Sequence, residues 1–409
     1  MKDYKAIYES ANDSIALEQR FYVLAESVRG TMVYPTASDF LFHLPGGSIG
    51  FEQPFESSPQ RSGRHHSGII KKKKISNFSF STFFNINEGA GDGKTSVDSA
   101  VKTLFKSLFG REDVTGADAV YDTNNAPDIT FTIMEVGDKW ARQAPGGFIS
   151  GGNLQLPGDG EATVEWSGSA KTTYLAGIGL STTDNNTGNT VTLQVGEGAR
   201  FTVGAAVMLL DATGLALSTD TAITTARIIT GISGDVITLD GAVLADADGT
   251  AADVYMCYYE PLAPVAINNP VTGLVGSVAV VGLASQCVRS LGINMQNNHE
   301  LVDYCYGSDS LAGTIFVPGD RFTAELTISM NMNHDVLGFY NGLLDFPTED
   351  LTAILGDVAG RHLEVLLPQA RFQVPAFAVP DTGSIPVEFS GQAYESALGL
   401  ADEIQVSFK

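Results

Sequence analysis

The 409-residue chain has only three cysteines, Cys257, Cys287 and Cys305. An odd number without metal-ligand spacing argues against a disulfide framework and points to synthesis in a reducing cytoplasm. Tryptophan is scarcer, with Trp140 and Trp166 alone, and a sugar-binding groove needs more clustered aromatics than that. Long apolar runs are also missing. The longest, Leu274 to Ala284, is too short and too glycine-rich to span a bilayer, so no membrane partner is expected. The polar start, Met1-Lys2-Asp3-Tyr4, lacks the character of a signal peptide. The N-x-S/T matches at Asn77 and Asn185 then carry no meaning. Cations are in short supply: 24 Lys and Arg stand against 47 Asp and Glu, for a net charge of −23. Such a surface argues against ordinary gripping of nucleic acid, in which cations displace phosphate counterions.

Apolar residues make up 44% of the chain, enough for a substantial core, and 44 glycines with only 17% charged residues suit a turn-rich β protein. The length allows two domains, or one large β domain carrying an insertion.

Residues 61–110 are the most informative stretch. From Lys74 to Ile86 the chain alternates, with Phe78, Phe80, Thr82, Phe84 and Ile86 on one face and Asn77, Ser79, Ser81 and Asn85 mostly on the other. That period of two predicts a half-buried strand. A glycine loop, Glu88 to Gly93, breaks it. A helix should follow, N-capped by Thr95 with Asp98 as capping-box partner. Val97, Val101, Leu104, Phe105 and Leu108 make its apolar stripe, and Gly110 is placed to end it.

The remainder reads mostly as strands and turns. Phe21 to Ala25, Ile129 to Ile133, two strands around Gly158-Asp159-Gly160, Leu363 to Leu367 and the alternating C-terminus are expected strands. Asp335 to Leu344 and Glu349 to Leu355 are expected short helices. Residues 36–74 read as an extended arm that depends on a partner surface. The polar run Ser181 to Thr190 is the clearest linker, and Pro261, Pro264 and Pro270 close the segment after it. The expected division is therefore 1–183 and 263–409 as one β domain, with 184–262 an inserted small β-barrel or sandwich.

Catalytic and metal motifs fail on context. Gly46-Gly47-Ser48-Ile49-Gly50 matches a nucleophile elbow, but Phe51-Glu52-Gln53-Pro54 follows where a helix is required. Asp246 to Thr250 imitates an aspartyl-phosphate motif without the Rossmann-like setting that chemistry needs. His65-His66 has no partner at metal spacing. The reading is of a non-enzyme with no cofactor and no metal. Six of the 24 cations fall on Arg61, Arg64, Lys71, Lys72, Lys73 and Lys74. In so acidic a protein they are read first as an inter-subunit contact, ahead of a solvated face and a nucleic-acid patch.

The run Phe21-Tyr22-Val23-Leu24-Ala25-Glu26-Ser27-Val28-Arg29-Gly30-Thr31 resembles the start of the major tail tube proteins of long-tailed bacteriophages. The glycine-rich arm, the long loop entering an alternating strand, the single helix and the strand-ended C-terminus follow in a similar order, over residues 1–183 and 263–409. The resemblance implies a mainly β, sandwich-like subunit with one flanking helix, and homohexameric rings whose strands join into an inner barrel. It also implies stacking of rings, a place in the virion tail, contact with tail terminator, tail-tip and tape-measure proteins, and DNA passing through the lumen during ejection. The insertion departs from the minimal family pattern.

Strands that are apolar on one face and carry Glu161, Glu165, Glu325, Glu388 or Glu403 on the other suit a wall that must not hold DNA. The alternative is that these glutamates face outer solvent. A second function class, a carbohydrate-binding or adhesin-like tail-tip or spike protein, needs exposed aromatics around a groove.

Overall fold

Alternation of apolar and polar side chains builds most of the structure, which is a computed structural model. It describes residues 2–10, 19–58, 61–62, 65–66, 68–72, 74, 76–86, 97–123, 129–182, 188–210, 226–242, 254–261, 269–272, 274, 276–280, 288–302, 315–318, 322–345, 347–356, 362–377 and 379–409.

The chain opens with a short helix, α1 (Tyr4–Glu9), and strands β1 (Arg20–Ala25), β2 (Phe40–Leu41) and β3 (Ser48–Ile49). An exposed pair follows, β4 (Phe55–Ser57) and β5 (Ile69–Lys71), and then β6 (Ser76–Phe83). Helix α2 (Ser99–Phe109) precedes β7 (Ala119–Asp122), β8 (Phe131–Val136), β9 (Ala141–Pro157), β10 (Thr163–Ala170) and β11 (Tyr174–Ala176). Six strands make a separate sheet: β12 (Ile178–Leu180), β13 (Thr190–Thr192), β14 (Ala206–Leu210), β15 (Arg227–Ser233), β16 (Val236–Leu239) and β17 (Tyr255–Tyr258). The chain then returns through β18 (Gly276–Val280), β19 (Val288–Gln296), β20 (Thr323–Asn331) and helix α3 (His334–Gly342). It ends with β21 (Glu349–Leu355), β22 (Leu363–Phe372), β23 (Pro386–Ala393) and β24 (Gln405–Phe408).

The fold is mainly β, as expected, its strands pair antiparallel, and α2 is the flanking helix. Two shorter helices join it. Helix α2 begins at Ser99 with Asp98 at the N-cap, so the start expected at Thr95 lies three residues too early, and Thr95 itself is outside the described residues. Gly110 ends the helix in the left-handed region at φ 93°, where glycine carries no Cβ penalty. Glu349–Leu355 is a strand rather than a helix. Leu351, Ala353 and Leu355 alternate inward, and the segment pairs with both β18 and β22.

Six strands form one continuous face in the order β6–β10–β9–β19–β20–β23. A second layer runs β2–β1–β8–β9–β11. Strand β9 belongs to both, pairing with β8 and β11 in its first half and with β10 and β19 in its second. Helix α2 packs inside this arrangement. The Phe105 ring lies 5.1 Å from Trp166, 5.3 Å from Tyr121, 5.7 Å from Phe84 and 5.9 Å from Phe408. Buried Trp166 keeps its donor satisfied, with Nε1 donating to Thr82 Oγ1 at 2.8 Å. Gly168 must be glycine, because a Cβ there would meet Phe148 O at 2.2 Å.

The segment expected to be an arm divides in two. Leu41 and Ile49 are fully buried, and β2 and β3 are paired, so residues 40–50 belong to the core. Only the part beyond Phe51 projects.

The separate sheet is ordered β12–β17–β14–β15–β16–β13, and its hairpin turns at Gly234, φ 61°. It rolls until Ser181 bridges Leu193, short of a closed barrel. It begins at Ile178, ahead of the expected linker, whose residues 183–187 are outside the described set. Its core is shared with the main body: Tyr22, Met134, Val136 and Ala141 from β1, β8 and β9 pack with Met208, Tyr255 and Tyr258. Gln143 of β9 also exchanges two buried hydrogen bonds with the Ala206 backbone, at 2.8 and 2.6 Å. Buried Glu260 accepts from Tyr4, Arg20 and Tyr22 at 2.9, 2.9 and 3.2 Å, and pairs with Lys2 at 3.0 Å. Burial, with the Glu260 charge second, pushes the Tyr22 phenol well above its ordinary pKa.

Candidate functional site

The outward face of the six-strand sheet gathers most of the acidic residues singled out from the sequence. One cross-strand row runs Ser81, Glu165, Asn153, Asn294, Glu325 and Gln392, each opposite the next. The row below it runs Ser79, Ser167, Gly151, Gln296 and Thr323. The row above runs Phe83, Thr163, Gln155, Gly292, Thr327 and Ser390. Glu388 stands one row further, opposite Ser329. The period of two explains the placement. Val164, Trp166, Leu154, Ile293, Leu326 and Phe389 alternate with these residues and are buried beneath them.

No lysine or arginine occupies a position in these rows across the six strands. Cations flank the rows at Arg289, exposed at the β19 bulge beside Ser290, and at Arg371 on β22, beyond Gln392 at the edge, with its guanidinium 5.3 Å from the Tyr394 ring. The amide donors are largely turned on each other. Gln155 Nε2 donates to Asn153 Oδ1 at 2.8 Å, Gln296 Nε2 to Asn294 Oδ1 at 3.1 Å, and Asn294 Nδ2 to Glu325 Oε2 at 3.3 Å. A phosphate approaching the face therefore meets carboxylates and carbonyl oxygens before free donors, which is electrostatically unfavourable.

Glu161 belongs with this group. It is exposed at the entrance to β10, in step with Thr163 and Glu165, and its backbone bridges Thr272. Glu403 does not. It is half-buried ahead of β24, which pairs with β7 and β22, and it accepts from Thr123 Oγ1 at 2.7 Å. Its alternating pattern is real, but the strand it introduces lies outside the six.

The basic residues divide as well. Lys71 and Lys72 are exposed on and beside β5, where Lys72 pairs with Glu56 of β4. Lys74 is half-buried, its ammonium 5.9 Å from the Phe51 ring. The Arg61 backbone pairs with His66 further out on the same ribbon. Arg64 and Lys73 lie outside the described residues, as do the acidic glycine loop at 88–93 and the Asp246–Thr250 turn. The two tryptophans do not line an open groove: Trp166 is buried in the core and Trp140 lies 4.9 Å from the Arg142 guanidinium. Ser48 sits in β3 opposite Ser79, a strand position with no helix after it.

Sequence reasoning missed the amides. Asn153 and Asn294 carry the row between the two glutamates, with Gln155 in the row above and Gln296 in the row below, and only the register reveals it. Their signal was the alternation Leu154/Leu156 and Ile293/Met295, which marks the intervening residues as outward. Among the described residues, no group of three or more His, Cys, Asp or Glu is placed to hold a metal ion, and no helix is long and apolar enough to cross a membrane.

No family model matches the chain, and no curated protein matches it.

Proposed function

We propose that the chain is a structural subunit that polymerises as stacked hexameric rings, forming a tube of the phage-tail type through which DNA passes. The observation that carries this reading is the six-strand face, broad, polar, acidic at Glu161, Glu165, Glu325 and Glu388, and without a cation at its paired row positions, the exposed Arg289 standing beside them at the β19 bulge. A wall around moving DNA has to repel or ignore phosphate, and a surface of amides, hydroxyls and carboxylates does so. The outer edge of β23 supports polymerisation. From Pro386 to Phe389 no strand pairs with it among the described residues, so its backbone groups are open to a neighbouring copy. The order of elements that resembles tail tube proteins supports the same reading, and the virion tail is the place it assigns.

Negative-stain electron microscopy of the purified protein tests this. Rings or tubes with a central hole are the expected result. Monomers at every concentration, with and without a tail-initiation partner, would overturn it.

A further inference from the structure

Helix α1 lies across the junction of the main body and the separate sheet. It has six residues, below the roughly 12–15 at which an isolated helix holds in water, so its contacts keep it folded. Asp3 caps it by accepting from Ala6 N at 2.9 Å, and no strand pairs with residues 2–10 among the described residues. One face points inward. Tyr4, Ile7 and Tyr8 pack with the core of the separate sheet, while Lys5, Ala6 and Glu9 are exposed. Spacings of three and four residues put the inward side chains on one side of the helix.

Four anchors fasten the segment. Lys2 Nζ, on a side chain only 6% exposed, donates to Gly137 O at 2.5 Å in the turn between β8 and β9, and stands 3.0 Å from Glu260 Oε2. Buried Tyr4 gives its hydroxyl to Glu260 at 2.9 Å and sets its ring edge-on 5.6 Å from Tyr258 of β17. Tyr8 donates to Glu197 Oε1 at 2.7 Å, with its ring 5.6 Å from Tyr255 and 5.8 Å from the Arg200 guanidinium. Lys139 Nζ, in the same β8–β9 turn, donates to Ser10 O at 2.8 Å. Gly137 and Lys139 belong to the main body, and Glu197, Arg200, Tyr255 and Tyr258 to the separate sheet. Each anchor runs through a side chain, so the segment sits as a peptide ligand sits in a cleft.

We propose that residues 2–10 are a clasp, docked within their own chain in a peptide-binding cleft, and that the clasp opens as a unit while both sheets stay folded. The cleft selects a short helix with a lysine, a tyrosine two residues on and a second tyrosine four further. Glu260 sets the demand for the lysine. Opening leaves that buried carboxylate with the Tyr22 hydroxyl and with Arg20, whose side chain is 38% exposed. A buried charge stripped of a partner is unfavourable, so the open state is a minor one and takes up any peptide that restores the cation. At the far end Glu197, held by Arg200 at 2.9 Å, is the acceptor that selects the second tyrosine. Segments held by few backbone hydrogen bonds and few apolar side chains are the ones that open locally. The clasp lies within one chain and is independent of the tube reading.

The test titrates a fluorescein-labelled peptide of residues 1–12 against the full chain and against its Lys2→Glu/Tyr4→Ala/Tyr8→Ala variant, read by fluorescence anisotropy. The variant should bind the peptide saturably. The parent, its cleft filled by its own segment, should bind about 100-fold more weakly if the clasp is open in about 1% of molecules. The same peptide carrying Lys2→Ala/Tyr4→Ala/Tyr8→Ala should bind neither chain. No binding to a variant that is folded by circular dichroism, equal binding to variant and parent, or binding of the alanine peptide overturns the proposal. Native-state hydrogen exchange on the parent is the second measurement and needs no variant. The Ile7 and Ser10 amides, which donate to Asp3 O and Ala6 O at 3.0 Å, should exchange through an opening that low denaturant leaves unchanged, ahead of the amides of β14 and β17. A single rate for all of them, rising together with denaturant, would show that the segment opens only with the whole fold and would overturn the clasp.

Discussion

Asn294 and Glu325 face each other across adjacent strands, and the Asn294 amide donates to the Glu325 carboxylate at 3.3 Å. The pair spends a donor that would otherwise be available to a phosphate and holds a negative charge at the middle of the row. Asn153 and Glu165 stand opposite each other two strands away, with the Asn153 carbonyl already taken by Gln155.

Reversing the face should reverse its behaviour. The triple variant Glu165→Lys/Glu325→Lys/Glu388→Lys should fold, since all three side chains are exposed, and should bind duplex DNA where the parent does not. Three phosphate contacts predict a slope of about −2.7 in log affinity against log salt, measured by fluorescence anisotropy. No binding by the folded variant would mean that DNA does not reach this face.

Phe105 ties the helix to β10, β7, β24 and the end of β6, touching Trp166, Tyr121, Phe408 and Phe84. Phe105→Ala should cost about 3–5 kcal/mol, seen as a lower midpoint in urea. A loss below about 1 kcal/mol would show that the site collapses around the missing ring.

The helix and the alternating strands were legible because their signals are local. Phe78 and Phe80 point inward as their spacing dictates, and the Val101–Leu104–Phe105–Leu108 stripe is buried. Glu349–Leu355 was misread because Leu351, Ile354 and Leu355 also fit a helical spacing, and strand partners on both sides decided the matter. Residues 40–50 looked like an arm because two-residue strands carry almost no periodic signal. Alternation alone likewise leaves open which strand neighbours which. It placed Glu161, Glu165, Glu325 and Glu388 outward but gave no reason to exclude Glu403, and it could not bring Asn153 beside Asn294.

The sequence also suggests that residues 184–262 are separable, and deletion tests this against the shared core. Removing them uncovers Tyr22, Met134, Val136 and Ala141, and takes Glu260 away from Lys2 and Arg20. Breaking such a pair by removing one partner costs about 3–5 kcal/mol. The deletion should therefore yield little soluble protein. Normal yield and thermal stability would show that the main body stands without it.

Charge on the projecting ribbon should govern assembly without governing folding. An exposed ion pair contributes about 0–1 kcal/mol, but a polymer repeats it in every subunit. Replacing Lys71 to Lys74 with glutamate should abolish sedimentation of assemblies while leaving circular dichroism unchanged, and four glutamines should weaken assembly less. If the glutamate variant assembles normally, these cations are a solvated face.

His43 sets a pH dependence. Its ring lies edge-on 4.7 Å from Phe21, and burial holds its pKa below the ordinary 6.5. As pH falls, the unfolded imidazole takes up its proton first, so this contribution is intact above about 6.5 and is lost progressively below it. The melting temperature should fall between pH 7 and pH 5, and His43→Phe should flatten part of that slope. An unchanged slope would assign the acid sensitivity to other groups.

Strand β9 gives the subunit a mechanical character. Ala141 to Gln143 pair with β8 and β11, and ten residues along the same backbone Asn153 stands in the polar row. The Gln143 side chain, in turn, is bolted to Ala206 of the separate sheet. Neither layer can shear past the other without stretching a single covalent strand, so a pull on the separate sheet is transmitted as tension to the row of Glu165 and Glu325 instead of being absorbed at a sliding interface.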